Sequence, residues 1–417
     1  MERRQIIRLW LKDALVCFVT VTLLLLLANV PDWRLISLGI FGGLMVAYAV
    51  RKLYWNYRSN RLACMFFLGC FFLALLLQIT KFYIFPKYYF FDAGSVQEIM
   101  ITGNAGELGI SYLNTARLCN LLKLLFPMES QLFGGLFFFF CGIPICAMTL
   151  SNVDFHMTSN WKKFVAIGLL LSYSVLLPVF VWNTQKEAIQ FLFLALIATI
   201  FKQAPKRPLA VAWCYLLLMV IWCVSFRTYY LLILIGSLLF FLVLRIQNQK
   251  SRAIFLTALC LLIVIGLIAV KQIYPKLLTQ LFESRAEILK KNTTFRMVNT
   301  AIVDTVPNPN RYILLYLLNY AINAARMMVP LELLCKGPLQ ICFVGWQLLI
   351  TGLLDSAIFR CWKTSDFAPQ NWQAAFVLCW YLVSFLFEPD FGSFVRHQAA
   401  VFPITFSLYC IVLRTNR

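Results

Sequence analysis

The chain has 417 residues, of which 61% are hydrophobic and only 13% charged, and its mean hydropathy is +0.79. Soluble domains carry about 25% charged residues, so this composition excludes a soluble globular fold and requires lipid as solvent. The net charge of +20 does not point to nucleic acid, because the basic residues fall mostly in short stretches between apolar runs, where membrane topology places them.

In chain order, apolar runs at 14–30, 35–50, 62–80, 131–150, 163–182, 187–201, 209–225, 229–245, 253–270, 338–354, 372–387 and 398–413 predict an all-α, polytopic integral membrane helical bundle. Each run approaches the roughly 20 residues that a spanning helix needs, which gives about twelve transmembrane helices (range about ten to thirteen) in a single transmembrane domain over 1–417. The basic start before the first run is followed by no small-residue cleavage site, so that run is expected to stay as a span. Placing the N-terminus in the cytoplasm puts 20 basic residues at inner ends and only Arg34, Lys186, Arg227 and Arg396 in short outer turns. That bias predicts that both termini are cytoplasmic.

Two long segments, 81–130 and 271–337, are then outer loops. The second contains 312–330, where Asn319, Asn323 and Arg326 recur at helical spacing, and it is expected as an interfacial or re-entrant helix. The second loop also carries the sequon Asn292-Thr293-Thr294 and the i,i+4 pair Glu287–Lys291, and its excess of basic residues suits an anionic ligand. Nearly all of the 14 cysteines lie in apolar runs and are expected as free thiols; Cys119 and Cys335 are the pair that outer loops would allow to bridge. No zinc spacing, phosphate loop or nucleotide fold is present, so no metal and no cofactor are expected.

With this topology, 12 of the 17 carboxylates fall on the outer side, and four outer stretches gather reactive side chains. In Trp182-Asn-Thr-Gln-Lys-Glu-Ala188, Lys186 can hold a phosphate and Glu187 can accept a hydroxyl proton, while Thr184-x-x-Glu187 reads equally as a capping box. In Ser225-Phe-Arg-Thr-Tyr-Tyr-Leu231, the Arg227 fork suits a diphosphate and Tyr229 and Tyr230 suit a sugar ring; the competing role is an interfacial anchor. In Phe387-Glu-Pro-Asp-Phe-Gly-Ser-Phe-Val-Arg-His-Gln398, a loop by this reading, Asp390, Arg396 and His397 are candidates, with His397 as acid or base. Against that stands a solvated turn capped by Asp390 or Ser393. In Lys81-Phe-Tyr-Ile-Phe-Pro-Lys-Tyr-Tyr-Phe-Phe-Asp-Ala-Gly-Ser95, Asp92 follows an aromatic run that suits carbohydrate, and it can equally cap the next helix.

The stretches Asn183-Thr-Gln-Lys-Glu187, Phe226-Arg-Thr-Tyr-Tyr230 and Asp390-Phe-Gly-Ser-Phe-Val-Arg-His397 resemble bacterial O-antigen and capsular polysaccharide repeat-unit polymerases of the Wzy type. The segment Lys87-Tyr-Tyr-Phe-Phe-Asp92 is similar to segments of the same group, whereas the Arg-x-Gly loops described for some members are not recognisable. The resemblance implies an enzyme of the bacterial inner membrane that joins repeat units carried on undecaprenyl diphosphate at the periplasmic face. Its substrate is a lipid-linked oligosaccharide, and its partners are membrane lipids and chain-length regulator and flippase proteins, with no nucleic acid. By that reading Lys186, Arg227 and Arg396 hold the diphosphate, and Glu187, Asp92 or His397 activates the acceptor hydroxyl. The alternatives are a membrane glycosyltransferase using polyprenyl-phosphate sugars and a lipid-linked oligosaccharide flippase or transporter.

Overall fold

A computed structural model describes residues 3–28, 32–57, 60–151, 160–273, 300–306, 312–363 and 369–413. The described residues are helical, apart from connecting turns and one isolated bridge between Ala301 and Asp390. Within the expected single domain, the chain folds as two compact units: Met1–Thr199, Ile221–Thr228 and Ala399–Arg417 form the first, and Ile200–Val220 with Tyr229–Gln398 form the second.

The first unit opens with α1 (Arg3–Ala28) packed on α2 (Trp33–Tyr57). Gly39 and Gly43 of α2, four residues apart, let the backbones touch: a Cβ at Gly39 would lie 2.7 Å from Val21 Cα, and one at Gly43 would lie 2.5 Å from Cys17 Cα. This small-xxx-small spacing is the packing device of membrane helices, which lack a hydrophobic drive towards each other and gain from close backbone approach. Helix α3 (Arg61–Ile84) runs past the expected loop start at Lys81 and packs on α7 (Asn160–Leu176). The expected loop 81–130 is itself largely helical, with α4 (Phe91–Thr102) on α5 (Ile110–Leu122), joined through Gly103, Gly106 and Gly109 at positive φ. Helix α6 (Gln131–Leu150) forms the unit's centre, with Phe138, Phe139 and Phe140 buried. Beyond α7, residues Leu177–Val181 make one π-helical turn that contains Pro178, closed by Trp182 N–H donating to the Leu177 carbonyl at 2.8 Å. Helix α8 (Lys186–Phe201) comes next.

In the second unit, α9 (Pro208–Ser225), whose last turn belongs to the first unit, precedes α10 (Tyr230–Arg245), α11 (Gln249–Ile273), α12 (Ile313–Met328), α13 (Pro338–Lys363), α14 (Pro369–Phe387) and α15 (Phe391–Ala400). Helices α10, α12 and α13 pack on α14, whose Trp372, Phe376, Trp380 and Tyr381 are buried. Helix α12 matches the helix expected over 312–330, and its polarity is inverted relative to a soluble helix. Asn319 is 2% exposed and Asn323 is 0%, whereas Leu314 is 76% exposed, as expected for a helix that turns its apolar side to lipid and its polar side inward.

Seven helices among the described residues are long and apolar enough to cross a membrane: α2, α3, α6, α7 with its π turn, α9, α11 and α13. The other expected spans fall on α1, on α8 and α10 of 16 residues each, on α14, and on the stretch 398–413. That last stretch is not one helix. It divides at Val401 into the end of α15 and α16 (Phe402–Leu413), because Pro403 has no N–H for the carbonyl one turn back. The break also places Arg396 and His397 on a helix, not in the expected loop. Cys119 and Cys335 are both free, and Cys119 is fully buried, so the bridge open to them does not form. The sequon at Asn292, the pair Glu287–Lys291 and the end of the first expected span lie outside the described residues.

Candidate functional site

Four sequence candidates meet in the first unit. Lys186 opens α8, and its Nζ donates to Tyr112 Oη at 2.8 Å while lying 3.5 Å from Asp92 Oδ2; the Tyr112 hydroxyl donates to Asp92 Oδ1 at 2.7 Å. The Lys186 ammonium also stands 4.1 Å from the Tyr112 ring centroid, a cation–π contact. One residue on, Glu187 Oε1 accepts from Arg227 Nη2 at 3.0 Å, and Glu187 is 0% exposed. Arg227 is brought there by the turn after α9, and Asn114 of α5 donates to the Ser225 carbonyl at 2.6 Å. Residues from the first turns of α4 and α8 and from the turn between α9 and α10 therefore gather in this unit.

These geometries separate the competing sequence readings. The capping box does not form: Glu187 faces Arg227, and Thr184 Oγ1 is buried with no hydrogen-bond partner among the described residues. Asp92 does not cap α4, whose cap position is Phe90. It sits within the first turn, where the helix dipole favours a carboxylate. Neither side chain serves as a cap, and both are engaged with cations.

The segment that carries Lys186 and Glu187 is held by a residue that hydropathy alone assigns to a loop. Lys81 is fully buried in α3 and donates to the carbonyls of Pro178 at 2.7 Å and Trp182 at 2.9 Å, and to Gln78 Oε1 at 2.9 Å; Gln78 also donates to Trp182 O at 3.0 Å. The π turn exposes these carbonyls, and a buried ammonium with three acceptors is satisfied without a carboxylate. Helix α6 permits the approach through glycines: a Cβ at Gly134 would meet Thr184 Cγ2 at 2.3 Å, at Gly135 Gln78 Nε2 at 2.6 Å, and at Gly142 Trp182 Nε1 at 2.3 Å. The signals for this anchor were Lys81 three residues from Gln78 in an apolar run, and the Gly134-Gly135 pair. Tyr112 had no comparable signal.

The remaining candidates belong to the second unit. Tyr230 is fully buried, and Tyr229 stacks on Phe387 with ring centroids 5.1 Å apart, so packing occupies both rings. Asp390 caps α15: its Oδ1 accepts from Ser393 N–H at 2.8 Å and its Oδ2 from the Ser393 hydroxyl at 2.9 Å. Burial raises the Asp390 pKa above the ordinary carboxylate value and outweighs those two bonds; the Glu388 charge adds to the rise and Arg396 opposes it. His397 Nδ1 is hydrogen-bonded to Glu388 Oε1, and both side chains are nearly buried. Segment 300–306 closes against this turn, with Ile302 N–H donating to the Pro389 carbonyl at 2.9 Å. Asn323 donates to Asp304 at 2.8 Å, and Arg326 pairs with Glu332 at 2.6 Å.

No group of three His, Cys, Asp or Glu side chains suited to a metal occurs among the described residues. Compared with known proteins, the chain matches no family model, no curated protein and no solved structure. The class its fold and site define is an all-helical protein of membrane type, carrying one cluster of buried ion pairs in its first unit and a carboxylate–histidine turn in its second.

Proposed function

We propose that the chain polymerises lipid-linked oligosaccharide repeat units into surface polysaccharide, O-antigen or capsule, at the periplasmic face of the bacterial inner membrane, with about twelve spans and cytoplasmic termini. The observation that carries this reading is the meeting of Lys186, Arg227, Asp92 and Glu187 in the first unit. Two cations on adjacent turns suit a diphosphate, and each stands against a carboxylate that keeps it in place until the anionic head replaces it. Released by that exchange, Asp92 or Glu187 can accept a hydroxyl proton.

The glycosyltransferase alternative relies on acidic residues in the first outer turn. That turn offers only Asp32 among the described residues, paired with Arg34 at 2.7 Å, whereas the polymerase reading draws on two carboxylates and two cations that meet in the first unit. The undecaprenyl carrier, the chain-length regulator and the flippase are the partners the reading entails.

The test is Arg227→Ala and, separately, Arg396→Ala in cells that make the polymer. Each variant is expected to remain in the membrane and to leave lipid carriers bearing a single repeat unit. Undiminished long-chain polymer in both would overturn the reading.

A further inference from the structure

The first unit contains an apolar cavity with about 720 Å³ of empty space, its open mouth included, walled by α2, α3, α6 and α7 and closed by Trp182 and Phe402. All four wall helices are long and apolar enough to cross a membrane, so the cavity lies at bilayer depth. Each turns one stripe at helical spacing towards it. That of α6 runs from Phe139 to Leu150, about 16 Å at 1.5 Å per residue, so the space is elongated along the helices. At one end Phe139 meets Trp182 with ring centroids 5.2 Å apart. At the other, Tyr57 lies 4.9 Å from the Phe67 ring, and its hydroxyl donates to the Leu150 carbonyl at 2.6 Å.

No charged side chain lines this space, the Ser174 hydroxyl already donates to the Leu170 carbonyl at 2.8 Å, and the Trp182 indole nitrogen lies against α6 at Gly142. Water would not find the about three polar partners that a buried water makes. Val50 and Leu68 line the cavity and are 41% and 50% exposed, so it opens between α2 and α3, where the surroundings are lipid tails. Walls facing a void lose their dispersion partners, and the hydrocarbon at hand to restore them is a tail. Length selects among tails. About 16 Å is roughly half of the ~30 Å hydrocarbon core, the depth of one leaflet and hence the reach of one acyl chain; a polyprenyl chain is longer and would leave much of itself outside.

We propose that this cavity holds one acyl chain of a bilayer phospholipid, entering sideways between α2 and α3, as a fixed part of the first unit. The site goes beyond the polymerase reading and does not need it. Leu177 and Trp182 belong to its wall, so the chain packs against the π turn whose carbonyls Lys81 holds.

The test uses full-length protein in nanodiscs of phosphatidylcholine, part of which carries a diazirine at successive carbons of the palmitoyl chain. After illumination, the labelled residues are read by peptide mass spectrometry. Ile143 and Leu170 line the cavity and are 6% and 4% exposed, whereas Ile263 of α11 is 55% exposed. All three are expected to be labelled, Ile263 by the surrounding bilayer and the buried pair by the chain in the cavity. Ala147→Phe and, separately, Ala49→Phe fill the space from α6 and α2, and each should remove the label from Ile143 and Leu170 while that on Ile263 stays. Unlabelled Ile143 and Leu170 in the parent protein overturn the proposal whether or not either variant folds, and so does labelling of the pair that both folded variants leave intact. A polyprenyl phosphate carrying the same diazirine is expected to leave the pair unlabelled; if it labels them and the phospholipid does not, the acyl assignment falls.

Discussion

Arg227 and Glu187 form an ion pair at 3.0 Å in which the carboxylate side chain is 0% exposed and that of the guanidinium 9%. Removing one partner takes the ion pair away from a buried charge, and breaking a buried pair costs about 3–5 kcal/mol. Arg227→Ala and Glu187→Ala are each expected to lower the thermal unfolding temperature in detergent. The double change Arg227→Met with Glu187→Leu should recover most of the loss while still abolishing function. A double variant as unstable as the sum of the singles would mean that the pair does not act as a unit.

Tyr112 hands a hydrogen bond from Lys186 on to Asp92, through contacts of 2.8 and 2.7 Å. Tyr112→Phe keeps the ring under the ammonium and deletes only the relay. Hydrogen bonds to charged groups contribute about 1.5–3 kcal/mol, so a stability loss of that order is expected. By the proposed reading, polymer length should also fall, because Lys186 and Asp92 lose the group that sets their spacing. Unchanged unfolding and unchanged polymer would show the relay to be incidental.

The glycine face of α6 offers a contrast between neighbours on one scaffold. Gly134→Ala and Gly142→Ala place a methyl 2.3 Å from Thr184 and Trp182 respectively, and such overpacking costs about 1–3 kcal/mol. Gly69→Ala in α3 and Gly168→Ala in α7 meet nothing within 4 Å and should not destabilise. Circular-dichroism melts of the four variants check the order; equal losses in all four would remove the close-packing account.

Asp32 and Glu129 share Arg34, and their acidities respond in the same direction. The Asp32 pKa lies below its ordinary 3.8, chiefly through the Arg34 side-chain hydrogen bond. For Glu129, burial pushes up, but the hydrogen bonds from Arg34 and Lys123 prevail and its pKa lies below 4.5. Depressed carboxylate pKa values stabilise the folded state above the unfolded values, and that stability is lost as pH falls through the folded ones. Unfolding temperature should therefore drop as pH is lowered from about 5, and Arg34→Met should flatten that slope. Because both carboxylates are partly exposed, salt should weaken the effect. A slope that Arg34→Met leaves intact would assign it elsewhere.

How far the sequence reveals the fold and the site depends on whether a signal is local. The seven membrane-length helices arise from apolar runs, and Lys186, Glu187, Arg227 and Asp92 stand out because charge beside apolar spans is costly. Their pairing is a tertiary fact: the capping box at Thr184 is a sound local pattern, yet Arg227, 40 residues away, takes the glutamate. The loop reading of 387–398 fails because an Asp390 cap and ten residues of α15 look, by composition, like a polar turn. Pro403 marks the true break, but hydropathy averages across it. Lys81 is misplaced for the opposite reason, since one charge near the end of an apolar run looks like the run's end when its acceptors are backbone carbonyls, which carry no letter in the sequence.

The π turn at Leu177–Val181 makes this part of the first unit unusually sensitive to chain length. A turn closed by an i to i+5 bond holds one residue more than an α-helix would. A single-residue deletion there would restore ordinary helical winding and withdraw the Pro178 and Trp182 carbonyls from Lys81, which anchors the segment leading to Lys186 and Glu187. Insertions and deletions in this stretch should consequently be tolerated far less well than substitutions.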